Sequence, residues 1–288
     1  MMGNKGVVRF GPAGLPIPPF EGGTVEAVKF VKEEGLDAME IEFVRGVHMS
    51  AETARKVRVE AEKYDMRLSA HCPYWINCAA KEAAKIKATV RNLMETARIA
   101  QVLGVKVIVF HPSYYMGRAP EATMELTRKT LKEVEEKMKS EGIHDVWLGA
   151  ETAGRVSQLG GLEETLELAR SMEKVSPVID FAHLHARKKG WVKGKEQYAE
   201  IFEKMEKALG RKAVEEFHSH FSEIQWNEGG ERNHLALGEA EKPSPPFRPL
   251  AEVIAENGYS GTIICETPML DRDAVKMKRI FEEVRRKA

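Results

Sequence analysis

The sequence predicts an α/β fold: a single (β/α)8 TIM barrel spanning residues 1–288 as one domain. Three observations carry this expectation. Eight strand-like runs alternate strictly with eight helix-like runs, which calls for parallel strands. A length of 288 residues is normal for eight such units closed into one barrel. No Gly-x-Gly-x-x-Gly follows the first strand-like run, so the usual mark of an open dinucleotide-binding sheet is missing.

The elements follow in order. The first apolar run, residues 7–14, is ended by its own Gly and Pro, and Thr24 is the expected N-cap for a helix that Gly35 stops. A second strand covers 38–44, and Ser50 caps a second helix over 51–64. A strand at 67–74 leads into a helix at 81–104, where Ile86, Val90, Leu93, Ala97 and Ala100 fall on one face. Residues 105–113 are almost continuously apolar, as suits a strand covered on both faces. The pattern continues with a helix at 120–141, a strand at 146–154 and a helix at 162–174. Next come a strand-like stretch at 176–186, a helix at 196–210 and a seventh strand at 213–222. A long polar segment, 223–246, precedes a helix at 247–258, the eighth strand at 261–268 and a final helix.

Composition narrows the class. Lys plus Arg is 44 and Asp plus Glu is 44, so net charge steers the chain toward neither nucleic acid nor anionic membrane. Cys72, Cys78 and Cys265 form no Cys-x-x-Cys pair, and an odd count argues against a disulfide framework. With no apolar signal region at the N-terminus and no run long enough for a membrane span, the expected location is the cytoplasm.

A barrel carries its chemistry at the carboxyl ends of its strands. His71, His111, Glu151, Asp180 with His183, His218 with His220, and Glu266 all fall at or just past such ends. Glu231 and His234 lie in the loop after the seventh strand. Of nine histidines only His48 and His144 lie elsewhere, whereas a random scatter would place many on helices. Imidazoles and carboxylates together suit zinc, and also manganese or iron. This many ligands exceed the needs of one tetrahedral ion and suit two or three ions sharing a carboxylate. Such a cluster can clamp a phosphoryl displacement and acidify a bound water.

These residues sit in motifs that resemble the endonuclease IV family of abasic-site endonucleases, within the xylose-isomerase-like barrels. The motifs are A-H-C-P-Y-W-I-N at 70–77, F-H-P-S at 110–113, E-T-A-G at 151–154 and I-D-F-A-H at 179–183. They continue with F-H-S-H-F-S at 217–222, N-H-L-A-L-G-E at 233–239 and C-E-T-P at 265–268. The resemblance implies a metal-dependent endonuclease that hydrolyses the phosphodiester 5′ to abasic sites in double-stranded DNA, with up to three zinc ions. It implies that His71, His111 and Glu151 hold one ion. Glu151 would bridge to a second held by Asp180, His218 and Glu266, and would position the attacking water. His183 and His234 would hold the third. Where the family has an aspartate two residues before the last histidine, this chain has Arg232, and the neighbouring Glu231 is the expected substitute. His185 and His220, two positions from expected ligands, are left outside the site.

For DNA binding the expected residues are Tyr74 and Trp75, by family resemblance, and the basic loop at 187–195, which holds Arg187, Lys188, Lys189 and Trp191. The chain is expected to act as a monomer. The competing function is a sugar isomerase or epimerase using one divalent ion on Glu151, Asp180, His218 and Glu266. The additional His71, His111, His183 and His234 favour the nuclease, because a one-ion sugar enzyme has no need of them as ligands.

Overall fold

The computed structural model describes residues 6–241 and 243–287. Its frame is an eight-stranded parallel sheet. The strands are β1 (Val8–Pro12), β2 (Ala38–Glu42), β3 (Arg67–His71), β4 (Val107–Phe110), β5 (Trp147–Glu151), β6 (Val175–Asp180), β7 (Phe217–Phe221) and β8 (Gly261–Cys265). Each pairs in parallel with the next from β2 to β8, and β8 pairs with β1. The ring is completed by a parallel bridge between Ala13 and Glu40, with the Gly14 N–H donating to the Glu40 carbonyl at 2.9 Å. The chain therefore forms the (β/α)8 barrel that its alternation predicts.

Eight long helices cover the outside: α1 (Thr24–Glu33), α2 (Ala51–Lys63), α3 (Ala83–Leu103), α4 (Pro120–Ser140), α5 (Leu162–Ser171), α6 (Lys195–Leu209), α7 (Phe247–Asn257) and α8 (Leu270–Lys287). Each turns an apolar face to the sheet, such as Val90, Leu93, Ala97 and Ala100 of α3. Against them lie strands like Val107-Ile108-Val109-Phe110, the last three fully buried. Each such side chain contributes about 1.5–3 kcal/mol relative to exposure. The Ser50 hydroxyl caps α2 by accepting from the Thr53 N–H at 3.1 Å. For α1 the cap is Gly23 rather than Thr24, because the Glu26 carboxylate reaches back to the Gly23 N–H at 3.0 Å.

Three connections depart from the sequence reading, and the first and third of them shape the barrel mouth. β6 ends at Asp180, and residues Phe181–Arg187 form a short helix rather than more strand. β7 is preceded by a single helical turn, Lys212–Glu215, where strand was expected. The polar segment after β7 folds into an antiparallel hairpin, Glu223–Asn227 with Gly230–Leu235, bulged at Gln225 and Trp226. This hairpin docks on the loop after β5: the Glu231 N–H donates to the Gly154 carbonyl at 3.2 Å and the Val156 N–H to the Gly229 carbonyl at 3.2 Å. Gly230 is required there. Its φ is +98°, and a Cβ would sit 2.1 Å from the Gly154 carbonyl oxygen.

Candidate metal centre

Side chains alternate along a strand, so Glu40 and Glu42 of β2 both point into the barrel, one layer apart. Glu42 is in register with His71 and Asp180 with His220, and the donors at the strand ends gather in one upper layer around Glu151. Glu151 closes β5 at the centre of that layer and is fully buried. Its Oε2 is 3.4 Å from Nε2 of both His71 and His111. Its Oε1 is 3.2 Å from Nδ1 of both His183 and His220.

The remaining donors gather around it. Asp180 caps the short helix, its Oδ1 accepting from the His183 N–H at 2.5 Å, so one helical turn delivers both side chains to the centre. His220 Nδ1 lies 3.1 Å from Glu266 Oε1. The hairpin brings Glu231 Oε2 to 3.5 Å from His183 Nε2, and His234 Nδ1 to 3.8 Å from Glu266 Oε2. Among the described residues four sets each place one donor atom per residue within 4.8 Å of the others, and three of them meet here: His71–His111–Glu151, Glu151–Asp180–His220–Glu266, and His183–His234–Glu266. They share Glu151 and Glu266. Above them opens a cavity of about 500 Å³, with Glu42, Tyr74, Tyr114, Arg155 and Gln158 also on its walls.

This donor set fits divalent ions. The His71 Nδ1 lies 2.8 Å from the Cys72 carbonyl and the His183 Nδ1 2.9 Å from that of Thr152. A donating N–H at these positions leaves each Nε2 lone pair facing the centre. His111 Nδ1, Asp180 Oδ2 and Glu42 Oε1 are buried without hydrogen-bond partners, and orphan buried groups ask for a ligand.

The electrostatics of the metal-free cluster are those of charges held close together. Burial would lower the His71 imidazole, but Glu42 and Glu151 outweigh it and push it up to about 10. Burial raises Asp180 to about 7, with Glu266 and Glu151 adding to the effect. Burial likewise raises Glu42 to about 8, assisted by Glu40 and Glu266. Cys72 beside His71 is fully buried, and burial pushes its thiol up, which leaves it a wall residue rather than a nucleophile.

Several expected residues lie elsewhere. His218 is not grouped with Glu151, Asp180 and Glu266; it sits one layer deeper, its Nε2 3.2 Å from Glu40 Oε2. His220 stands in the place expected of His218, because both face inward on β7 and only the later one reaches the mouth. His185, which the sequence reading leaves outside the site, does turn away, its two ring nitrogens 2.9 and 2.8 Å from the carbonyls of Val192 and Pro243. Arg187 does not project as a phosphate ligand: it donates to the carbonyls of Arg155 and Gln158 at 2.6 and 2.9 Å, bracing the loop after β5. Trp191 packs against the core and Lys188 lies over its ring, while Lys189 pairs with Glu228. Tyr74 and Trp75 remain exposed at the mouth, at 60% and 55%. Glu40 and Glu42 were missed from sequence. Their signal was two acids at i and i+2 in an otherwise apolar strand, which a barrel must turn inward.

Comparison with known proteins agrees with this architecture. The chain is 36% identical over 275 residues to an uncharacterized protein of Methanocaldococcus jannaschii, covering 96% of this chain and 97% of that one. It is 25% identical over 174 residues to "Probable endonuclease 4" of Mycoplasma pneumoniae, covering 59% and 57% of the two chains. Among solved structures it is similar to a D-tagatose 3-epimerase-like protein, with TM-score 0.70, 23% identity and coverage of 96% and 98%. It is about equally similar to endonuclease IV from Thermus thermophilus, with TM-score 0.69, 18% identity and coverage of 96% and 100%. No helix among the described residues is long and apolar enough to cross a membrane. The family model described as xylose isomerase-like TIM barrel matches residues 28–284, and the chain belongs to that family.

Proposed function

We propose that this chain is a metal-dependent phosphodiesterase of the endonuclease IV type, acting 5′ to abasic sites in double-stranded DNA. The observation that carries it is the sharing of Glu151 between two donor sets, with a third set beside them. A one-ion sugar epimerase would need only Glu151, Asp180, His220 and Glu266. Here His71, His111, His183 and His234 converge on the same centre, which favours several ions over one. The imidazole-rich set suits zinc, with manganese as the alternative.

In this reading His71, His111 and Glu151 hold one ion, Glu151, Asp180, His220 and Glu266 a second, and His183, His234 and Glu231 the third. Such ions supply Lewis-acid polarisation of the phosphate and hydroxide at neutral pH. The protein's own part is orientation. The Cys72 and Thr152 carbonyls fix the tautomers of His71 and His183, and Glu151 is held between four imidazoles. The exposed Tyr74 and Trp75 offer apolar surface to a duplex beside the lesion, in a cytoplasmic, monomeric repair enzyme. The test is metal content per chain together with incision of an abasic-site duplex. Several ions with incision supports the proposal; one ion, no incision and turnover of a ketose sinks it.

Gly154 provides a finer check. A Cβ there would lie 2.5 Å from Glu231 Oε2 and 3.1 Å from His183 Cδ2. Gly154→Ala should push the Glu231 carboxylate off His183 and weaken one ion about tenfold, near the lower end of the effect of disturbing a ligand's support. Titration of metal-free protein with zinc would show this; wild-type affinity for every ion would count against the placement of Glu231.

A further inference from the structure

Beneath the metal centre, behind His220, lies a second cluster whose Glu40, Ser69 and His218 the proposed ligand sets do not use. Glu40 of β2 is fully buried. Its Oε2 accepts from the Ser69 hydroxyl at 2.6 Å and lies 3.2 Å from His218 Nε2. Its Oε1 lies 3.0 Å from His220 Nε2. Neither of those last two atoms has a well-aligned hydrogen-bond partner, so they face one another as the two open positions of the layer. Meanwhile the other nitrogen of the same ring, His220 Nδ1, faces Glu151 and Glu266 at 3.2 and 3.1 Å.

Resting on the ligand assignment above, we infer that Glu40 is a positioning residue that holds His220 in the tautomer with its Nδ1 lone pair on the metal side. An imidazole binds an ion through one nitrogen only when its proton sits on the other, and a carboxylate behind that N–H both fixes the ring and makes the ligand more basic. The layer is built for this. With Oε2 taken by Ser69 and His218, Glu40 is anchored by side chains from β3 and β7, and only Oε1 is left for His220. His218 thus acts on the carboxylate rather than on the ion, which explains two inward histidines on one strand.

The test uses the full chain, stripped of metal and titrated with zinc against a chromogenic chelator, for wild type, Glu40→Ala, Glu40→Gln and Ser69→Ala. Glu40→Ala should bind the same number of ions at saturation, with the affinity for one ion reduced about 10- to 100-fold. Glu40→Gln should recover part of the loss, because an amide oxygen can stand behind His220 Nε2 and accept its proton's hydrogen bond when the ring binds an ion. Ser69→Ala should lose less than Glu40→Gln. Cobalt(II) in place of zinc should show an altered visible spectrum in Glu40→Ala, which a loss of stability alone would not produce. If Glu40→Ala does not fold, the Gln and Ser69 variants carry the same comparison. Wild-type affinities in both Glu40 variants would overturn the inference. So would the outright loss of one ion in Glu40→Ala from a wild type that holds one more ion than the proposed sets, which would make Glu40, His218 and His220 a cation site of their own. A wild type that takes up no ion would sink the ligand assignment itself.

Discussion

Glu151→Gln is expected to cut abasic-site incision by on the order of a thousand-fold, about 4 kcal/mol of transition-state stabilisation, while the fold stays intact. Both oxygens of Glu151 are engaged, Oε2 near His71 and His111 and Oε1 near His183 and His220. An amide keeps the shape but loses the charge, and one of its two ends becomes a donor aimed at imidazoles. In the proposed reading it could no longer serve two ions at once. Burial would raise this carboxyl, but His111 and His220 outweigh it and hold it well below the ordinary range. The checks are single-turnover incision, metal content and circular dichroism. Near wild-type rates with full metal content would show that the bridging role is misplaced.

The second large effect separates two histidines on one strand. His220→Ala should remove one ion and lower incision by about 100- to 10,000-fold, that is about 2.7–5.4 kcal/mol. His218→Ala should keep the wild-type number of ions and lose about 1–3 kcal/mol of stability, the cost of leaving one buried partner of Glu40 unmade. The motif F-H-S-H-F-S contains both residues, and resemblance alone chose the first. In the barrel, His220 Nδ1 lies 3.2 and 3.1 Å from Glu151 and Glu266, whereas His218 Nε2 lies 3.2 Å from Glu40, so only His220 reaches the centre of the proposed ligands. Equal metal loss in the two variants would contradict that assignment.

Much of this was legible in the chain because it depends on local pattern. Continuous apolar runs such as 107–110, helix stops such as Gly35 and Gly104, and the strict alternation of elements are all local, and together they select a barrel. The barrel in turn sends strand-end residues to one face, which is why His71, His111, Glu151, Asp180 and Glu266 could be expected to converge. Depth along a strand is different. It is set by register with neighbours distant in sequence, so the pair His218 and His220 was not separable by pattern. The bulged hairpin posed the same difficulty: Glu231 and His234 reach the centre only because it docks on Gly154. Arg187 and Trp191, read as a basic aromatic loop, were claimed instead by carbonyls and core that no local signal reveals.

By itself, then, the sequence determined the barrel, the face that carries the chemistry and most of the donor atoms on it. Each of these follows from side-chain periodicity and from the handedness of βα units. Only the tertiary structure decided which inward residue stands at which layer, which loop residues reach the centre, and that Glu40 stands behind His220. Those outcomes depend on strand register and on the packing of one loop against another, and both are properties of contacts between distant segments.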